Sequence, residues 1–555
     1  RISMIYNLNE NMMRLIKGEG SLASTKFWDS YHNVEFDADI IEWNTNEDDI
    51  NINTVSTSGM KPAIYESKDF FNKSTMRALR GNVNYDPLSI LMKYQKQNFD
   101  DEIFDEDYAK LINPNLTVKQ IQALLFSLIQ EGFISWNKES GTISIKDKVK
   151  HYVKANAKKK DSDNIRLISK TKKQNGVLNL KTNEIQIEGV DIVPISQSTS
   201  TFFRPSSFKL KLKQNRNMEF NGFFSCGRMD FFGNNNEFIY EGFTMNIPDI
   251  DTLIIYIPDG DEMDKYGNPR LIPLNTTLEN LTGTIEINDN DNKSGRIDKP
   301  EFPKLHSTSA SQIFFDSKNI RSATYKRDNF FYELTPFDLD SLDHLQPSNI
   351  EFQGELHSAD IFPVIKEPIR IQSDLSLGFT LESPPSGFDI YKGRAKFISD
   401  ITLNGEGLKG DGQIDYRTIS FESSDIQFFP DSLLATTDTI GVEKSKGAYE
   451  TPWVRSANND IKFFPYQDSL WASSSSTSPF RMYGEIMDLD GTFSITGKGI
   501  TGTGTADWDD ATLVSNHFIF EADEMFADTA ELIIKNLDNG KVTFNTPNVN
   551  AAVDF

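Results

Sequence analysis

Cysteine is nearly absent. The one copy, Cys226, has no partner in the chain, which excludes an internal disulfide framework. Histidine is scarce as well: His32, His151, His306, His344, His357 and His517 are scattered, and none has a second His or Cys at zinc-ligand spacing. No apolar run approaches the ~18 residues needed to cross a bilayer, so no transmembrane span is expected. Basic side chains are in deficit, 57 against 81 acidic, for a formal net charge of −24. A field of that sign repels nucleic acid and anionic membranes and favours solubility. Walker A, the Gly-x-Ser-x-Gly elbow and a Cys–His pairing are all missing. Carboxylates abound, but nothing singles out two of them as a glycosidase pair. These absences imply a protein that is not an enzyme, with no catalytic, cofactor-binding or metal residues to assign and no cofactor.

Phenylalanine, in contrast, is plentiful, with 41 copies against 17 Tyr and 6 Trp. Together with abundant Asn, Asp, Ser and Thr, it suits strands joined by tight turns better than helices. The length of 555 residues exceeds what one hydrophobic core supports and predicts about three to four domains, or a repetitive array. Periodicity divides the chain into a β-rich segment over 1–66 and a helical insert with a β-wing and basic linker over 67–175. Two β-rich units follow over 176–300 and 301–387, then two repeat copies over 388–479 and 480–555, the second truncated.

Within the insert, Pro87 opens a stretch in which Leu88, Ile90, Leu91 and Tyr94 share a helical face. The acidic run Asp100–Asp107 reads as a linker. The best-defined helix spans Val118–Gln130: Thr117 as N-cap, Gln120 at the capping-box position, and Ile121, Leu124, Leu125, Leu128 and Ile129 as its stripe. Gly132 supplies the stop. Phe133–Ile145 then reads as a hairpin, and helix followed by β-wing is the outline of a winged helix. Lys138–Lys173 holds twelve Lys or Arg against four Asp or Glu. With few basic residues on the helix to read a groove, this is expected to be a solvated basic linker rather than a DNA-binding surface.

The strongest signal is an internal repeat: residues 388–437 align on 480–529 without a gap, an offset of 92. Identical pairs include Phe388/Phe480, Tyr391/Tyr483, Gly405/Gly497, Gly407/Gly499, Gly410/Gly502 and Gly412/Gly504. Asp415/Asp507, Ser423/Ser515, Phe428/Phe520 and Asp431/Asp523 extend the match. A fainter third copy starts at Phe220, with Gly222, Gly227 and Asp230 at the spacing of Gly499, Gly504 and Asp507. A sub-repeat links Asp425–Pro430 to Asp460–Pro465. Reflection between Leu408 and Lys409 pairs Gly407 with Gly410 and Leu403 with Ile414, which describes a hairpin; a stacked β-arch is the alternative. The fold class expected is mainly β: an elongated array of repeated antiparallel β-sheet units with a small winged-helix-like insert near the N-terminus.

Gly405-x-Gly407-x-x-Gly410 and its copy satisfy the dinucleotide expression, but strand residues follow where the fingerprint needs a helix. Asp289-x-Asp291 and Asp259-x-Asp261-x-x-Asp264 could hold calcium, although neither completes an EF-hand loop. Cys226 lies in a Phe-rich strand and reads as packed rather than reactive.

Several short motifs carry a resemblance. Gly18-Glu19-Gly20-Ser21-Leu22-Ala23 with Phe27-Trp28-Asp29, Asn292-Lys293-Ser294-Gly295, Ser376-Leu377-Gly378-Phe379 and Leu408-Lys409-Gly410-Asp411-Gly412 with Pro430-Asp431-Ser432 resemble very large cell-envelope β-repeat proteins of Bacteroidota. The resemblance implies an exported protein, periplasmic or on the cell surface and associated with the outer membrane. A more distant similarity is to the repetitive β-sheets of lipid-transport bridges. Both ends, Arg1 in polar text and the alternating run Asn548–Phe555, read as cut from a longer chain; a mature protein after signal removal is the alternative. Two roles are expected: a structural or interaction scaffold contacting other envelope proteins, or a conduit for a lipid or glycan along a Phe-lined groove. The two separate on one point. Phe428, Phe463 and Phe520 face an open trough in a conduit and fill closed cores in a scaffold.

Overall fold

The computed structural model describes residues 2–17, 26–55, 61–81, 85–172, 174–536 and 540–555. The chain is mainly β, as the aromatic and short polar residues predict, with strands taking 51% and helices 12%. It divides into two compact units. The first comprises Arg1–Pro273, Leu278–Ser311 and Pro336–Gln346; the second comprises Leu274–Thr277, Gln312–Thr335 and Pro347–Phe555. The motif at 18–23 lies outside the described residues.

In the first unit, the segments read separately as 1–66 and 176–300 share one antiparallel sheet. The joint is the pairing of Asp49–Asn53 with Gly176–Asn179, which sets Ile52 opposite Gly176 and Ile50 opposite Leu178. A smaller four-stranded sheet runs Arg166–Ser169, Ala63–Ser67, Val34–Asp37, Phe27–Asp29.

The insert between them holds α1 (Lys73–Arg80), α2 (Pro87–Asn98), α3 (Asp105–Ile112), α4 (Val118–Gln130) and α5 (Asp147–Asn156). Helix α4 is capped as its sequence predicts: the Thr117 N–H donates to Gln120 Oε1 at 2.9 Å, and Gly132 takes φ +79° past its end. Ile121, Leu125, Leu128 and Ile129 are buried in the insert's own core. Two linker expectations are corrected here. Within Asp100–Asp107, Glu102–Phe104 is a strand that sets Ile103 opposite Ile143, and Asp105 opens α3 with three acids in its first turn, where the helix dipole favours them. The basic segment after the wing is α5. Its apolar positions Val149, Tyr152 and Ala155 recur at i, i+3 and i+6 and are buried. The three short strands lie in the order Glu102–Phe104, Thr142–Ile145, Ile134–Asn137. Helix, strand, two helices and a two-strand wing complete a winged-helix topology.

The second unit is dominated by a meandering sheet of 18 strands, from Glu351–Phe352 to Val542–Asp554. The repeat lies inside it. The hairpin tip is corrected to Gly405–Glu406, not Leu408–Lys409: Asn404 pairs with Gly407, Leu403 with Leu408 and Phe397 with Ile414. Local chemistry decides this. The Asn404 side chain accepts from the Glu406 N–H at 2.9 Å, and Gly407 sits at φ +105°, a left-handed position glycine fills without strain. In the second copy Thr496 Oγ1 accepts from the Lys498 N–H at 3.2 Å and Gly499 sits at φ +117°. The third copy does not keep these roles. Gly227 is in the turn and Gly222 is at a bulge in mid-strand, the reverse of Gly499 and Gly504.

One ten-residue strand in each repeat copy, Ile419–Phe428 and Ala511–Phe520, breaks its alternation in the middle, and the bend has a device. Inward positions run Ile419, Phe421, Ser423 and then Ile426, Phe428, a change of parity across Ser424–Asp425. Ser423 Oγ accepts from the Asp425 N–H at 3.1 Å and donates to Thr436 O on the next strand at 2.8 Å. Ser515 does the same with the His517 N–H and Asp528 O, at 3.0 and 3.1 Å. The hydroxyl satisfies backbone groups that the ladder drops at the bend. Between Ile419–Phe428 and Met487–Thr496 the sheet separates along this crease into two lanes. Eight strands thereby form a closed ring of hydrogen-bonded neighbours.

The crease lets the sheet close on its own apolar face. A flat ten-residue strand would hold its ends about 30 Å apart. Yet Tyr391, beside the start of Ala395–Asn404, donates from its hydroxyl to Ser432 O at 2.7 Å, at the opposite strand ends. Ninety-two residues on, Tyr483 donates to Glu524 O at 2.9 Å, the same contact in the second copy. Inside, one ladder crosses nine strands: Phe428, Leu433, Phe463, Leu470, Ile495, Ile500, Phe520, Met525, Val553. All but Val553 are buried in the core.

Candidate functional site

The ladder answers the question about the groove. Phe428 and Phe463 are 0% exposed and Phe520 is 1% exposed. The Phe428 ring packs edge-on against Phe362 and Phe397, with centroids 4.9 and 5.5 Å away. Gly410 makes room for this packing, since a Cβ there would lie 2.8 Å from the Phe428 ring and 2.9 Å from Phe397. These aromatics fill a closed core. The recurring polar residues stay out of it: Ser423 and Ser515 serve the crease, while Asp431 and Asp523 lie in the turns at the strand ends.

The acidic turns are engaged by the protein itself. Asp289 accepts from Lys299 Nζ at 2.6 Å and from the Asp291 N–H at 2.9 Å, and Lys299 with the turn hydrogen bond holds its carboxyl below the usual range. Arg270 pairs with Asp259 and Glu262, and Asp264 accepts from the Tyr266 and Asn268 N–H groups. No group of three or more metal-ligating side chains occurs among the described residues. Cys226 is fully buried 3.2 Å from Thr201 Oγ1, and burial pushes its thiol up to about 12, so it packs rather than reacts. His32 bridges Asp29 and Asn183 O, while His306, His344, His357 and His517 pair with nearby carboxylates. The Gly405–Gly410 run is a turn followed by the strand Gly407–Tyr416, without the helix a dinucleotide would require.

Helix α4, which stands where a winged helix would read a groove, shows few cations. The exposed positions of α4 are Lys119, Gln120, Ala123, Ser127 and Gln130, with a single cation. Beside it, Phe99 and Phe104 are exposed among Asp100, Asp101, Glu102, Glu106 and Asp107, a surface that repels phosphate. No helix is long and apolar enough to cross a membrane among the described residues.

One polar site was not legible from the sequence. A cleft of about 570 Å3 lies between α5 and the small sheet of the first unit. Helix α5 presents Asp147, Lys150, His151 and Lys154 to it, at i, i+3, i+4 and i+7. Trp28 and Lys68 come from the sheet side, with Lys68 Nζ 5.9 Å from the Trp28 ring. Beneath lies an ionic layer. Glu66, 3% exposed, is clasped by Lys26 and Lys148; burial pushes its carboxyl up, and the two ammonium groups outweigh that and hold it low. Burial depresses Lys148.

Deeper still, Asp163 accepts from Ser67 Oγ at 2.6 Å and Tyr240 OH at 2.9 Å. Arg216 lies 3.6 Å over the Tyr240 ring and bonds Asp69 at 2.8 Å. Burial raises the Asp163 carboxyl to about 6 despite these donors. His151 Nε2 lies 3.0 Å from Asp69 O, so that nitrogen carries the proton, and Nδ1 is buried without a partner. Burial lowers its pKa. The i, i+3, i+4, i+7 phase of α5 is the signal that could have pointed here. No protein-family model, curated protein or solved structure matches the chain.

Proposed function

We propose that this chain is a structural and interaction segment of a large exported envelope protein, working as a scaffold in a multi-protein assembly and not as an enzyme. The closed core around Phe428, Phe463 and Phe520 carries the reading. A conduit would leave a continuous apolar lining open to its cargo, whereas here the rings contact one another and the limbs are tied by Tyr391 and Tyr483. The winged helix supports the same role: with one cation on the exposed side of α4 and acids around Phe104, it suits a protein partner better than DNA. The envelope location follows the motif resemblance, and the net charge of −24 is compatible with it.

The test is native purification of the tagged protein from fractionated source cells, with mass spectrometry of protein and lipid. A stoichiometric set of envelope proteins without lipid is expected. Lipid or glycan recovered at constant ratio through further purification would overturn the scaffold in favour of the conduit.

A further inference from the structure

The cleft beside α5 has a charge pattern that the scaffold role does not use. The chain carries 81 acids against 57 bases, and the cations beneath the cleft, Lys26, Lys148 and Arg216, each find a carboxylate. Lys68, Lys150 and Lys154 have no ion-pair partner among the described residues, although they line the same cleft. Lys150 and Lys154 are one helical turn apart, an arrangement in which like charges repel when no anion lies between them. Three carboxylates also line the cleft, Glu35, Asp69 and Asp147, against five lysines. Asp69 is spent on Arg216 and Lys160, at 2.8 and 3.1 Å.

We propose that this cleft binds a phosphate-bearing ligand. The donors are lysines, compact point charges, and several unpaired ones on one cleft suit the multiply charged oxygen shell of a phosphate. Arg216 is already committed beneath the floor to Asp69 and the Tyr240 ring. A volume of about 570 Å3 admits more than an inorganic ion, and Trp28, 48% exposed at the rim, offers a flat face to the group that carries the phosphate. A soluble phosphomonoester and a lipid phosphate headgroup share this chemistry.

The experiment titrates the full chain with inorganic pyrophosphate by calorimetry at low salt, beside flotation with phosphatidylcholine vesicles doped with phosphatidic acid. The pair Lys150→Ala/Lys154→Ala is expected to weaken pyrophosphate binding about tenfold. The pair Lys158→Ala/Lys159→Ala, which removes the same charge from exposed positions just beyond α5, is expected to change it less than about twofold. Unchanged circular dichroism and melting for both pairs excludes unfolding as the cause. Flotation lost in the Lys150/Lys154 pair identifies the lipid headgroup as the source, and pyrophosphate binding without flotation identifies a soluble one. Absence of binding to both probes, or an equal loss in the two lysine pairs, overturns the proposal.

Discussion

If the glycines of the repeat exist to admit aromatic rings, the ring and the glycine must be energetically coupled. At Gly410 an added Cβ meets no backbone within its three closest contacts. It meets Phe428 Cε2 at 2.8 Å, Phe397 Cε2 at 2.9 Å and Phe397 Cζ at 3.1 Å. Gly410→Ala should therefore cost about 1–3 kcal/mol by overpacking. Phe428→Ala, at a fully buried position, should cost about 3–5 kcal/mol. In the double variant the new methyl enters the space left by the Phe428 ring, while Phe397 still presses on it. The combined loss should fall short of the sum by roughly 1–2 kcal/mol. The second copy sharpens the test. At Gly502 the added Cβ meets Phe520 at 2.8 Å but also the Thr492 carbonyl oxygen at 2.9 Å, a backbone atom that no change at Phe520 removes. Coupling between Gly502 and Phe520 should be the smaller of the two. Guanidinium denaturation measures both cycles, following the transition that Phe428→Ala displaces so that unfolding of the other compact unit does not enter. Additivity within about 0.5 kcal/mol at Gly410/Phe428 would refute the packing account.

Tyr391→Phe and Tyr483→Phe each delete a hydroxyl that ties opposite strand ends; each should cost about 1 kcal/mol and speed amide exchange in the turns 429–432 and 521–524, and unaltered exchange would disprove the tie. Asp163, with its carboxyl raised to about 6 by burial, binds a proton in the folded state that the unfolded chain has released between pH 4 and 6. Stability from this group is therefore full below the unfolded pKa and lost as pH rises towards 6, by roughly 3 kcal/mol at most. Melting of the wild type against Asp163→Asn across that window should show the slope in the wild type alone, and parallel curves would exclude it. Cys226 should resist a thiol reagent in the native state and react fully in denaturant, because its thiol is buried and pushed up to about 12; native labelling within minutes would contradict its burial.

What the sequence revealed and what it hid follow from the range of each interaction. The cap of α4 needs only Thr117, Gln120 and Gly132, neighbours in the chain, and its position was legible for that reason. The repeat was legible through its glycines, but its hairpin tip was not. Glycines at 405, 407, 410 and 412 are symmetric about Leu408–Lys409, so pairing by symmetry competes with the turn chemistry at Asn404 and Gly407. The turn wins because it satisfies a backbone donor and places Leu408 opposite Leu403 inside the core. The cleft stayed hidden for the opposite reason. Trp28, Lys68 and Lys154 come together only after three separate segments pack, and composition reads α5 as a basic run without phase.

The crease shows how the two scales meet. Recurrent serine in an otherwise apolar register has a structural reason, because Ser423 and Ser515 occupy the row where their two strands change parity. A bent strand drops backbone hydrogen bonds at that row, and a hydroxyl is the smallest group that can both accept from its own strand and donate to the next. Removing the polar residue would not extend the apolar surface; it would leave the bend unsatisfied. Closure of the core around Phe428 and Phe520 therefore depends on the residues that look least like core.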